Sequence, residues 1–104
     1  LDERPSARAA GVAYYVVCEA LANVAKHAGA AAVEVRAERV ARDGGDLLRI
    51  TVTDDGKGGA DPDPGSGTGL YGLWDRVNAV DGTLMVDSPP GQGTAVTADI
   101  PWEA

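Results

Sequence analysis

Glu19, Asn23, Lys26 and His27 lie four, three and one residues apart inside a helical pattern. At about 100° per residue they fall within an arc of roughly 100°, together with Val12 and Val16. A stripe that begins as core thus continues as carboxylate, amide, ammonium and imidazole. Burying Glu and Asn without partners costs about 1–3 kcal/mol each. The stripe therefore either emerges into solvent in its last turns or lines a site. In the first case Lys26 and His27 simply compensate the helix macrodipole at a C-terminus. In the second, Asn23 stands out: Asn is a poor interior helix residue, but its carbonyl oxygen is a good hard-metal ligand.

The other chemistry-bearing segment is rich in glycine. Seven of the chain's 14 glycines fall in the nineteen residues from Asp54 to Gly72. The segment opens with Asp54-Asp55-Gly56-Lys57-Gly58-Gly59 and closes with Gly67-Thr68-Gly69-Leu70-Tyr71-Gly72. Ordering so many glycines is entropically costly. The return is close approach of backbone N–H groups to a ligand, most often a phosphate. Gly67-x-Gly69-x-x-Gly72 matches the dinucleotide fingerprint formally, but no strand runs straight into it. The P-loop pattern is absent. Asp54, Asp55, Asp61 and Asp63 fail the EF-hand spacing, and two prolines stiffen that stretch. A ligand-free surface loop is the remaining alternative.

These residues need a scaffold. At 104 residues the chain is one domain with room for one modest core. Its net charge of −7 argues against nonspecific nucleic-acid binding. An anionic ligand must then be held locally, by helix ends, a metal or a few placed cations. No apolar run approaches the ~18 residues of a membrane span. The single Cys18 excludes an internal disulfide and fits a reducing compartment, and its helical context predicts a small buried residue. The chain opens at Leu1 rather than Met, which suggests a domain excised from a longer protein, with residues 1–10 as linker and 11–104 as the domain.

Ala9–Ala28 reads as a helix, with Val12, Val16, Val17, Ala20, Leu21 and Val24 at helical spacing and Gly29 as its stop. Ala32–Val40 alternates as a half-exposed strand, and Asp43-Gly44-Gly45-Asp46 signals a hairpin into a second strand ending at Asp54. Gly56 to Ser66 is a loop. Leu70–Val80 is a second helix, with Gly82 near its C-terminal end. Thr83–Asp87 and Thr94–Ile100 are strands around Pro89-Pro90-Gly91-Gln92-Gly93. Helices on one face of a mixed, mostly antiparallel sheet give a two-layer α/β sandwich of the α+β type.

Together these pieces resemble the ATP-binding catalytic domain of sensor histidine kinases, in the wider group that includes DNA gyrase, the Hsp90 chaperones and the MutL repair ATPases. Cys18-Glu19-Ala20-Leu21-Ala22-Asn23-Val24-Ala25-Lys26-His27-Ala28 is similar to the family's N box. Asp54-Asp55-Gly56-Lys57-Gly58 resembles its G1 box, Gly67-Thr68-Gly69-Leu70 its G2 box, and Gly91-Gln92-Gly93-Thr94 its late Gly-Thr segment. The match covers about residues 11–101. The Lys-His-Ala ending, the short lid and Gly-Leu-Trp-Asp-Arg-Val resemble the subfamily of nitrate and lipid-fluidity sensors.

The resemblance implies the Bergerat ATP-binding fold, with ATP and Mg²⁺ as ligands. Asn23 would bind Mg²⁺ through its side-chain oxygen. Glu19 would orient the metal's water shell or act as a base. Lys26 and His27 would contact phosphates. Asp54 would accept a hydrogen bond from the adenine amino group, which guanine lacks at that position. Gly56 and Gly58 would admit the base. Gly67, Thr68, Gly69 and Leu70, at the start of the second helix, would cradle phosphates. Thr94 would sit beside Asp54 near the base, directly or through a water.

The resemblance further implies a γ-phosphoryl donor to a histidine on an upstream dimerisation domain, then to a response regulator. The full-length protein would be a homodimer. This domain would be cytoplasmic and touch neither membrane nor nucleic acid, with or without a membrane anchor elsewhere in the protein. The chain has no phenylalanine and so no F box. His27, its only histidine, lies inside the N box and is no phospho-acceptor, so this piece alone should bind ATP without autophosphorylating. Two alternatives share these residues: an anti-sigma-factor serine kinase of the same fold, and a nonenzymatic nucleotide-gated binding module.

Overall fold

The computed structural model describes residues 4–25, 32–56, 70–88 and 93–104. The elements run α1 (Ala7–Asn23), β1 (Val33–Val40), β2 (Leu47–Asp54), α2 (Leu70–Asn78), β3 (Thr83–Asp87) and β4 (Thr94–Pro101). The sheet order is β1-β2-β4-β3, and all three pairings are antiparallel. The expected two-layer sandwich is present, and no parallel pair enters among the described residues.

Alternation builds the core. Leu48, Ile50 and Val52 of β2 and Val96, Ala98 and Ile100 of β4 point to the helical side and are buried. They meet Ala9, Val12, Ala13, Val16 and Ala20 of α1 and Leu73 and Val77 of α2. α1 packs over β2 and β4, and α2 packs beside it over β3. β1 carries the expected alternation, but Val33 and Val35 are each 43% exposed, because among the described residues α1 packs mainly over β2 and β4 and α2 over β3.

α1 begins at Ala7, two residues ahead of the expected Ala9. Residues 6–10, read from sequence as linker, belong to the folded body. Ser6 caps the helix by accepting from the Ala9 N–H at 3.0 Å, and its hydroxyl donates to the Ala104 carbonyl at 2.8 Å. Its own N–H donates to the Trp102 carbonyl at 2.8 Å. With the backbone bond to Trp102 left in place, Ser6→Ala removes the cap and the hydroxyl's bond to Ala104. It is expected to lower stability by about 1–2 kcal/mol in urea unfolding; an unchanged midpoint would show the cap to be idle.

The α1 stripe also needs correction. Val12, Val16 and Ala20 are buried as expected, but Leu21 is exposed. Cys18 is exposed too, not buried. It sits one turn from Tyr14 on the outer face, and their side-chain hydrogen bond raises the Tyr14 pKa. Both residues lie on the side of the helix turned away from Val16.

α2 stops at Asn78, and its end differs from the glycine-capped expectation. The residue with positive φ is Asp81, at 61°. The Gly82 N–H donates to the Val77 carbonyl at 3.0 Å, and the Asp81 N–H to that of Asn78 at 3.0 Å, which is Schellman geometry. Gly82 is needed for space instead: a Cβ there would lie 2.6 Å from the Asp99 carbonyl oxygen.

Trp102 continues the inward row of Val96, Ala98 and Ile100 at the same two-residue spacing, beyond the proline at which the sequence reading ends the strand. It is buried, its backbone N–H donates to the Asp46 carbonyl at 2.9 Å, and the Arg39 guanidinium lies 4.3 Å from its ring centroid. Arg39 pairs with Asp46 at 2.6 Å. On the sheet's outer face Arg49 makes a two-pronged contact with Asp99, at 2.7 and 2.9 Å, which raises the Arg49 pKa.

Candidate functional site

One end of the sandwich collects most of the described candidate residues, and the chain's own geometry explains why. Ser6 ties the start of α1 to the end of β4. Seventeen helical residues span about 25 Å, and the eight of β4 about 26 Å. α1 therefore delivers Asn23 to the opposite end, where β4 starts at Thr94 and β2 ends at Asp54. These two residues are register partners. α2 runs the other way, since its C-terminal turn leads into Thr83, opposite Asp99. Its N-terminus, at Leu70, thus opens toward the same end, with the positive pole of its dipole.

Tyr15 and Arg76 lock the two helices together. The Arg76 guanidinium lies 4.4 Å from the Tyr15 ring centroid. The Tyr15 hydroxyl would lie only 3.3 Å from a Cβ at Gly72, so that glycine makes room for it.

Within this end, Asn23 is half-buried, and its amide nitrogen is fully covered with no hydrogen-bond partner. Such an orphan costs free energy unless something fills it. Val24 and Ala25 continue the helix beyond Asn23 with wider, π-type turns. Glu19 is half-buried one turn before Asn23. The stripe thus does not simply run out into solvent at these two positions.

The Asp54 carboxylate accepts the Gly56 N–H at 2.8 Å through Oδ1. Asp55 faces the other way: its Oδ1 accepts the Ala32 N–H at 3.0 Å and its N–H donates to the Ala32 carbonyl at 3.3 Å, pinning the start of β1. Gly93, with φ of 81°, packs its Cα onto the strand end, so a Cβ there would fall 2.2 Å from the Asp54 carbonyl oxygen. The Thr94 hydroxyl lies 2.6 Å from that of Ser88.

Asn23, Glu19, Asp54, Gly56 and Thr94 are thus described and share one end. Lys26, His27, Gly58, Gly67, Thr68 and Gly69 lie outside the described residues; Leu70 is described as the start of α2. Sequence reasoning missed Ser88 and the packing role of Gly93. Ser88 carried no motif. Gly93 was read as part of a turn and of the late Gly-Thr segment, and its close packing against Asp54 appears only in the fold.

The donor set fits a magnesium nucleotide. An amide and a carboxylate are hard oxygen ligands. Among the described residues no group of three or more His, Cys, Asp or Glu could hold a metal, so the ion would need phosphate oxygens to complete its shell. No helix among the described residues is long and apolar enough to cross a membrane.

An antiparallel sheet covered on one face by two helices, with an unpartnered Asn23 nitrogen at the end where β2 finishes at Asp54, is compatible with the nucleotide-binding fold expected from sequence. Comparison with known proteins agrees. Residues 10–104 match the family described as histidine kinase-, DNA gyrase B-, and HSP90-like ATPase. The oxygen sensor histidine kinase NreB of Staphylococcus carnosus is 39% identical over 93 residues, covering 86% of this chain and 25% of that protein. The histidine kinase domain of the Erythrobacter litoralis blue-light activated histidine kinase is similar in structure, with a TM-score of 0.68 and 31% identity over 91% of this chain and 48% of that one. A second structure of that kinase gives 0.68 and 32%, over 90% of this chain and 30% of that one. The chain belongs to this ATPase family, and it spans about a quarter of the length of its curated relative.

Proposed function

We propose that the chain holds Mg-ATP and presents its γ-phosphoryl group to a histidine on a separate dimerisation domain, as the catalytic domain of a two-component sensor kinase. The observation that carries this reading is the covered side-chain nitrogen of Asn23, a donor without a partner, on the helix that runs to the end of the sandwich where β2 finishes at Asp54 and β4 starts at Thr94. The histidine-kinase relatives support the sensor kinase over an anti-sigma-factor kinase.

Each residue has a physical task. Asp54 uses one carboxylate oxygen on the Gly56 N–H and keeps the other for the adenine amino group. Thr94 supplies a hydroxyl beside it. Asn23 offers its amide oxygen to the metal, and Glu19 orients water there or takes a proton. Lys26 and His27 bring positive charge to the phosphates, and Gly67, Thr68, Gly69 and Leu70 lead into the N-terminus of α2. Mg²⁺, when bound, neutralises phosphate charge during transfer. In that transfer the bond from the γ-phosphorus to ADP breaks and a bond to the acceptor imidazole nitrogen forms. A response regulator's aspartate then receives the group, and the full-length protein works as a homodimer.

Calorimetry on the 104-residue chain tests the reading. ATP should bind in the micromolar range with Mg²⁺ and more weakly without it, and GTP should bind poorly. No binding by the folded wild type would end it. Asn23→Ala should remove most of the Mg²⁺-dependent gain, about tenfold in affinity, as expected for one lost interaction with a charged group. An undiminished Mg²⁺ effect would take the metal away from Asn23.

A further inference from the structure

We infer that Ser88 is a positioning residue for nucleotide selection: its hydroxyl donates to Thr94 and thereby turns the Thr94 proton toward the base. This inference rests on the proposed ATP site. The two hydroxyl oxygens are 2.6 Å apart, a short O–H···O contact, and both residues are half-buried. Ser88 directly follows β3 and Thr94 begins β4, so the contact closes the mouth of that strand pair. Thr94 in turn faces Asp54 across β4 and β2.

A hydroxyl has one proton to give. In this pair one oxygen donates and the other accepts, so the direction of the pair decides what Thr94 shows the ligand. Adenine presents a donor, its amino group, beside an acceptor, the adjacent ring nitrogen. The acidic oxygen of Asp54 answers the first, so the second needs a donor. Thr94 can supply one directly only if it accepts from Ser88. Hypoxanthine presents the reverse pattern, an oxygen acceptor beside a ring N–H. The hydroxyl pair and Asp54 together then read two adjacent base atoms, where Asp54 alone reads one.

Titration of wild type, Ser88→Ala and Ser88→Thr with Mg-ATP and Mg-ITP tests this, with thermal unfolding of each apo protein alongside. Ser88→Ala should weaken ATP by about twofold to tenfold, the range for one net hydrogen bond. The ATP-to-ITP preference should shrink in parallel, the melting temperature should stay within a few degrees, and Ser88→Thr should restore both affinity and preference. Unchanged affinities in Ser88→Ala, with ATP bound by wild type, overturn this inference and leave the ATP site standing. A loss of affinity with an unchanged ATP-to-ITP ratio, or no rescue by Thr, also overturns it. No ATP binding by wild type removes the site and this inference together.

Discussion

Asp54→Asn is expected to raise the dissociation constant for ATP by about two orders of magnitude while the domain stays folded. Asp54 has two acceptor oxygens, and one is taken by the Gly56 N–H. Asn has a single side-chain oxygen. If that oxygen stays on Gly56, the side chain turns an NH₂ group toward the base, donor against donor. The loss of a charge-assisted bond and the unpaired donors together amount to about 3 kcal/mol, or roughly 100-fold. The same change should narrow the gap between ATP and GTP, since the new NH₂ matches the guanine oxygen. Calorimetry with both nucleotides reads the two effects. Retained ATP affinity, or an unaltered gap, would remove Asp54 from base recognition.

Gly93→Ala carries the second large effect, this time on the protein itself. The residue has φ of 81°, where an alanine is strained by about 1–2 kcal/mol. Its Cβ would also lie 2.2 Å from the Asp54 carbonyl oxygen and 3.1 Å from its carbon, both backbone atoms that no rotamer can move aside. The strand end bearing Asp54 must shift. We expect a loss of about 2–4 kcal/mol in urea unfolding, from the strain and the clash together, and weaker ATP binding with it. A variant as stable as wild type would mean that this close approach does not exist in solution.

The elements were legible where one periodicity held for a whole segment. Leu48, Ile50 and Val52 read as an inward row because β2 is buried on one face only, and the hairpin signal at Asp43–Asp46 fixed its neighbour. Single positions were harder. Cys18 and Leu21 carry apolar side chains on the wrong side of α1, and composition cannot separate a helix flank from its core. Gly82 looked like a cap because glycine tolerates positive φ, but Asp81 took that conformation and Gly82 served the close approach to Asp99. Trp102 follows a proline that reads as the end of a strand, and its burial depends on contacts with Asp46, Arg39 and Ser6 far along the chain. In the site, Asn23 was legible because an amide among Ala and Val is costly. Ser88 was not, since a serine before two prolines is ordinary in a turn and gains meaning only once Thr94 is folded against it.

The bond between Ser6 and Ala104 joins residues 98 positions apart. Whatever chain enters before Ser6 and leaves after Ala104 therefore does so at one pole, about a helix length from Asn23. Any partner chain attached there would hold the domain at the pole opposite Asn23 and the proposed nucleotide site. In the proposed kinase, the length and stiffness of such an attachment would set how often the nucleotide reaches its target. It also makes the domain suited to circular permutation: a short link from Ala104 to Ser6 and new ends at the Gly44-Gly45 turn would leave every core contact in place.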